Sequence, residues 1–213
     1  RILGGNLSSG PLSIAVTAIG EGSEQRLVRR GGARPGDEVW VTGVPGLARL
    51  GLKCLERGLS PALLQMKMSA GDRRAVRAGL RAFRRPRART REAIVLARTC
   101  RPSAMVDLSD GLATDLAHIL DESRRLRGAP LGAEITAATL AGRGHLTRLA
   151  ALLGEPAETA ALVGGEDYEL CFTIPQGRGG NRVARLFRDE LKLAAACVGR
   201  IAERPGIRLV RPD

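Results

Sequence analysis

The stretch from Met105 to Arg127 constrains the fold most. A short apolar run, Met105 to Leu108, is followed at once by Ser109-Asp110-Gly111 and then by an amphipathic segment over 110–127. Leu112, Leu116, Ile119 and Leu120 fall on one helical face at the 3.6-residue period, so this is a buried strand feeding an amphipathic helix. Ser109 or Asp110 reads as the helix N-cap. Such a strand-to-helix turn needs a sheet on one side and a layer of helices on the other.

The rest of the chain supplies both. Leu12–Ile19, Glu38–Gly43, Tyr168–Ile174 and Ala194–Ile201 read as strands. Residues 46–57, 69–82, 90–100, 146–153 and 180–191 read as helices, with a break near Pro86. Gly- and Pro-rich turns lie at Gly4–Pro11 and Arg30–Asp37. Strands and helices mix without a strict βαβ rhythm, which gives an α+β class. A composition shift near residues 20–30 sets a boundary between 1–29 and 30–213. With 2% aromatic residues, the core has to be built from Leu, Val, Ile and Ala.

Composition excludes several functions. No window approaches the 18 or so apolar residues of a membrane span, and no signal peptide is visible, so a cytoplasmic protein is expected. The chain opens at Arg1 in mid-strand, which reads as a truncated start. Cys54, Cys100, Cys171 and Cys197 form no CxxC pair, so reduced thiols are expected rather than zinc or a disulfide framework. The net charge of +12 raises the question of nucleic acid. The charge is nearly all Arg (Lys appears only as Lys53, Lys67 and Lys192) and scattered, except for the run Arg81–Arg89. No stacking platform or RNP-like motif accompanies it, so nucleic-acid binding is the weaker reading.

Three segments carry chemistry. In Asp107-Leu108-Ser109-Asp110-Gly111, two carboxylates stand at a sheet edge, as a hard cation such as Mg²⁺ requires. The Ser109 hydroxyl and the N–H groups of the helix start face an anion. The competing reading is an Asp110 that only caps the helix. In Gly164-Gly165-Glu166-Asp167-Tyr168-Glu169-Leu170, Glu166 is a substrate contact, or else the acids are solvated in a tight turn. Gly4-Gly5-Asn6-Leu7-Ser8-Ser9 can cradle phosphate on its backbone, and Arg30 can clamp one. His118 and His145 have no partner at metal-ligand spacing, and no nucleophilic triad can be assembled.

Taken in order, these segments resemble the thiamine-monophosphate kinase family. Gly4-Gly5-Asn6 with Gly10–Ile14 is similar to its Gly-Gly-Asp strand motif. Arg30 to Asp37 is similar to its Arg-x-Gly-Ala-x-Pro-Gly-Asp turn, and Arg85–Arg89 to its Arg-Pro-x-Pro-Arg element. Asp107 to Ile119 resembles Asp-x-Ser-Asp-Gly-Leu-x-x-Asp-Leu-x-His-Ile. Gly164 to Pro175 resembles Gly-Gly-Glu-Asp-Tyr-Glu-Leu-x-Phe-Thr-x-Pro, and Val198–Ile201 resembles the late Ile-Gly-x-Ile strand.

The resemblance implies a two-domain aminoimidazole-ribotide-synthetase-like α+β fold. Residues 30–213 would be mostly its C-terminal domain, and 1–29 a remnant of the ATP-binding N-terminal domain. It implies ATP- and Mg²⁺-dependent phosphorylation of thiamine monophosphate to thiamine diphosphate by a homodimer. Asp107, Asp110 and Asn6 would be metal ligands; Gly5, Asn6, Arg30 and Ser109 would contact ATP; Glu166 would contact thiamine monophosphate. No catalytic residue is assigned. Asn6 stands where the family has Asp, a metal cluster expected upstream is absent, and so is a C-terminal aromatic segment. An inactive remnant or regulatory module of the same superfamily is therefore the alternative. A selenophosphate- or purine-pathway relative and a basic nucleic-acid binder rank below it.

Overall fold

The computed structural model describes residues 10, 14–23, 27–59, 68–142, 144–177 and 179–211. The Arg34–Asp37 turn starts the sheet. The Asp37 carboxylate accepts from the Arg34 N–H at 3.0 Å and the Ser103 hydroxyl at 2.6 Å. Strand β1 (Glu38–Thr42) leaves this clamp with Val39 and Val41 facing one way and Trp40 the other. It pairs antiparallel with β4 (Leu170–Ile174) on one side and β5 (Ala195–Ala202) on the other. Strand β2 (Ala104–Asp107) adds antiparallel to β4 at one edge. Strand β3 (Gly132–Thr136) joins β5, and β6 (Gly206–Val210) runs parallel to β3. The order across the six strands is β2-β4-β1-β5-β3-β6.

Each face is buried differently. The larger core holds Val39, Val41 and Cys171 from the sheet. Helices α1 (Leu47–Glu56), α2 (Ala70–Arg84) and α4 (Leu112–Arg127) pack on it, with α5 (Ala137–Ala141), α6 (His145–Leu153) and α7 (Ala157–Val163). It is aliphatic, as the composition requires. The opposite face holds three aromatic side chains, Trp40, Phe172 and Phe187. Trp40 stacks on Phe172 with ring centroids 6.5 Å apart, and Phe172 on Phe187 at 6.0 Å. Leu96 of α3 (Thr90–Thr99) and Val183 of α8 (Gly180–Arg185) close this cluster.

The expected strand over 12–19 does not form: residues 14–19 carry no regular structure, and residues 12 and 13 lie outside the described residues. The β pattern is present, but Ile14, Val16 and Ile19 are 80–93% exposed, with no strand beside them among the described residues to bury one face. The expected helix 180–191 is α8 continued by a π-helical turn, Leu186–Leu191. Neither α helices α5 and α7 nor strands β3 and β6 were expected. Strand β3 opens on Gly132, a weak strand former. A Cβ there would lie 2.0 Å from the Arg204 carbonyl oxygen, so glycine serves the close approach of the β5–β6 connection.

No described helix is long and apolar enough to cross a membrane. All four cysteines are free, and Cys171, wholly buried, has its thiol pKa pushed up to about 12 by burial.

Phe172 is fully buried between the other two rings. Phe172→Ala is expected to cost about 3–5 kcal/mol of unfolding free energy, from lost burial and the cavity left behind. Urea denaturation checks this; a cost below about 1 kcal/mol would mean the aromatic layer is not part of the cooperative core.

A candidate phosphate and metal site at the start of helix α4

Strand β2 ends at Asp107, and α4 begins at Leu112. The intervening turn is held by the loop 164–169. The Glu166 N–H donates to the Ser109 carbonyl, the Tyr168 N–H to the Leu108 carbonyl, and the Leu108 N–H to the Glu169 carbonyl, each at 2.8 Å. Two of the sequence's three chemical segments therefore form one backbone-paired unit. Gly111 sits at φ 110°, and a Cβ there would come within 3.0 Å of the Gly164 carbonyl oxygen. Only glycine satisfies both conditions.

The helix is not capped as expected. Its N-cap is Gly111, with no side-chain cap from Ser109 or Asp110. Instead Asp115 Oδ2 reaches back from the first turn and accepts the N–H groups of Asp110 at 3.0 Å and Gly111 at 3.1 Å. Asp115 is buried, and burial is the main cause of its raised pKa; the nearby Asp110 and Asp107 charges add to it, against those two backbone bonds. This residue was missed. The signal was an acid on the Leu112–Leu116–Ile119 face, where a carboxylate is tolerated only if something satisfies it.

Asp115 thus takes the capping work, and the competing reading of Asp110 fails. The Asp107 and Asp110 side chains are exposed and, like the Ser109 hydroxyl, have no hydrogen bond or ion pair among the described residues. His118 was set aside too early. Asp110, Asp115 and His118 each offer a ligand atom within 4.8 Å of the others. The three oxygen-bearing groups Asp107, Ser109 and Asp110 suit a hard cation that keeps water or phosphate in its remaining positions. An imidazole nitrogen suits softer metals better.

The acids of 166–169 divide their work. Asp167 is buried and bonds the start of α1, accepting from the Gly46 N–H at 2.5 Å and the Ala48 N–H at 3.0 Å. Burial pushes its pKa up to about 7; the two backbone bonds pull it down, and the Glu169 charge adds to the rise. Glu169 pairs with Arg89 through two guanidinium nitrogens and accepts from Thr42 Oγ1 at 2.6 Å. Arg89 of the Arg85–Arg89 element is therefore tied to this carboxylate. Glu166 alone is exposed, and it accepts from the Tyr168 hydroxyl at 3.1 Å. Both Glu166 (φ 66°) and Tyr168 (φ 50°) occupy the left-handed region, unusual for large side chains and characteristic of ligand-contacting loops. Beside Gly164, Arg49 keeps a buried Nε, the only such side-chain atom without a partner among the described residues.

Arg30 is not brought to this cluster. The Arg29 carbonyl accepts the Met105 N–H at 3.0 Å, near the start of β2, and Arg30 lies with Gly31 beside Glu122 and Leu126, toward the far end of α4. Gly5 and Asn6 lie outside the described residues.

No protein-family model matches the chain. Thiamine-monophosphate kinase of Escherichia coli O157:H7 is 35% identical over 99% of the chain and 59% of that protein. The enzyme of Methanospirillum hungatei JF-1 is 34% identical over 94% of the chain and 55% of that protein. Among solved structures, thiamine-monophosphate kinase from Stenotrophomonas maltophilia K279a superposes with TM-score 0.68 at 31% identity, over 85% of this chain and 52% of that one. AaThiL complexed with AMPPCP and TMP gives TM-score 0.63 at 28% identity, over 85% of this chain and 50% of that one. The hydrogenase maturation protein HypE shares the fold alone, with TM-score 0.58 at 17% identity.

Fold and site together define an α+β protein of the aminoimidazole-ribotide-synthetase-like type. Within that type, the chain is similar to the thiamine-monophosphate kinases. It spans about three-fifths of the length of the curated relatives it matches.

The raised Asp167 pKa has a stability consequence. The folded state holds this proton more tightly than the unfolded chain, whose Asp titrates near 3.8. The contribution is full below about pH 4 and is lost as pH rises through about 7. The urea midpoint is expected to fall between about pH 4.5 and about pH 7.5, and to fall less in Asp167→Asn. Equal falls in both proteins would remove Asp167 as the cause.

Proposed function

We propose that this chain supplies the phosphate- and metal-binding edge for ATP- and Mg²⁺-dependent transfer of a phosphoryl group onto thiamine monophosphate, giving thiamine diphosphate. The observation that carries the reading is the release of Asp107, Ser109 and Asp110 from structural duty by Asp115. The kinases to which the chain is similar, and the AMPPCP and TMP bound by a related structure, support the same chemistry.

Phosphoryl transfer asks little covalent work of side chains and much of positioned charge. Asp107 and Asp110 would hold Mg²⁺, which neutralises charge on the phosphate oxygens when bound. The Ser109 hydroxyl donates to a phosphate oxygen, and the first free N–H groups of α4 add positive potential there. Glu166, held in a strained loop and turned outward, orients the acceptor substrate. Gly5, Asn6 and Arg30 remain part of the proposal as nucleotide contacts. So do Asn6 as a third metal ligand, a boundary between 1–29 and 30–213, a homodimer and a cytoplasmic location.

The protein carrying these residues is expected to form thiamine diphosphate from ATP, Mg²⁺ and thiamine monophosphate, followed by chromatography. Asp110→Asn should lower kcat about 100-fold or more with an unchanged urea midpoint. Undiminished turnover in that variant would remove Asp110 from the metal site. An active protein whose product is a different phosphorylated compound would overturn the substrate assignment.

A further inference from the structure

A second cleft opens at the same end of the sheet, on the other side of the 166–169 loop. Its volume is about 520 Å³, in the range of small-ligand sites. One wall is a row of arginines. Arg74, Arg77, Arg81 and Arg85 follow one another at spacings of three, four and four residues along α2 and its C-cap, so they share a helical face. Arg87 extends the row. The side chains of Arg77, Arg81, Arg85 and Arg87 have no hydrogen bond or ion pair among the described residues. The Arg74 side chain bonds only its own helix, at the Ala70 carbonyl.

Like charges stacked at this spacing destabilise a helix, and α2 offers a single acid, Asp72, which is engaged with Arg148 and Ser69. The acids at the base of the cleft do not neutralise the row. Asp167 is bound to the start of α1, and Glu169 to Arg89. The same cleft is also lined by the apolar side chains of Val44, Leu47 and Leu193. None of Asp107, Ser109, Asp110 or Glu166 lines this cleft.

We propose that this cleft is a separate binding site for an organic diphosphate. The phosphates lie on the α2 arginines, and the organic part lies against Val44, Leu47 and Leu193. Guanidinium groups pair with phosphate in a two-pronged geometry, and several of them converge here. A bare polyanion would leave the apolar lining unused. A nucleic-acid strand would need stacking side chains, whereas the lining of this cleft includes no Phe, Tyr or Trp.

The test is isothermal titration of the whole protein with ADP, thiamine diphosphate, inorganic pyrophosphate and a single-stranded DNA 20-mer. The proteins compared are the native chain, Arg77→Ala/Arg81→Ala and Asp110→Asn. At least one diphosphate ester should bind, more tightly than pyrophosphate. The arginine pair should weaken that binding at least about tenfold, while Asp110→Asn leaves this component unchanged. Both arginines are exposed, so the pair variant should keep or raise its urea midpoint. Four results would overturn the proposal: no diphosphate ester binds, binding does not depend on the pair, pyrophosphate binds as tightly as the esters, or only DNA binds. The first of these would also count against the kinase reading, whose products are ADP and thiamine diphosphate; the other three leave that reading untouched, and it is tested separately by Asp110→Asn turnover.

Discussion

Three backbone hydrogen bonds join residues 108–109 to residues 166–169. Almost everything that gives this protein a site depends on them. They extend the pairing of β2 with β4 beyond the regular sheet, so that two loops far apart in sequence become one surface. Once joined, the loops place buried acids where backbone N–H groups need acceptors. Asp115 serves the turn into α4, and Asp167 serves the start of α1. These donors lie at or just before the helix N-caps, except Ala48, which is a first-turn N–H that the helix itself leaves open. The remaining acids, Asp107, Asp110 and Glu166, are left facing solvent. A carboxylate with no structural partner, beside others of the same sign, is the arrangement a cation or a cationic substrate can stabilise.

Charge is sorted on a larger scale too. The chain is strongly basic overall, yet Asp107, Asp110 and Glu166 meet at one corner, while exposed arginines of α2 line a cleft that Asp167 and Glu169 of the same loop also line. The loop separates the two. Glu166 faces the acidic corner, while Asp167 and Glu169 line the arginine side with their charges already engaged. A chain that binds both a metal-bound phosphate and a free one needs this kind of partition, because an acid left open in the second cleft would repel its ligand.

Much of this was legible in the residues. The helix from Leu112 and the strands around Trp40 and Phe172 follow from periodicity and turn chemistry, whereas Asp107–Gly111 and Gly164–Leu170 stand out mainly through the family resemblance. Other features were not, for identifiable reasons. Strand β3 opens on Gly132, a weak strand former, because its backbone there passes close to the β5–β6 connection. The segment 14–19 has a strand's pattern but no neighbour within the described residues, and pattern alone does not make a strand. The capping role went to Ser109 or Asp110 because position favoured them; Asp115, inside the helix, won because burial obliges it to find donors. Asp115 already stood one helical turn before His118, and Asp110 joined the pair only when the turn ahead of α4 folded. Arg30, adjacent to a matching motif, lies toward the other end of α4, since strand and helix together carry the chain away from the site.

The central claim is that Asp115 frees the carboxylates beside it to hold a metal–phosphate complex. Paramagnetic broadening of backbone amide signals by substoichiometric Mn²⁺ in the presence of ADP tests this most directly. The amides of Asp107 to Gly111 and of Gly165 and Glu166 should broaden first, with those around Glu122 and Leu126 unaffected. Broadening that begins at exposed acids elsewhere, such as Asp121 and Glu122 on the outer part of α4, would contradict it.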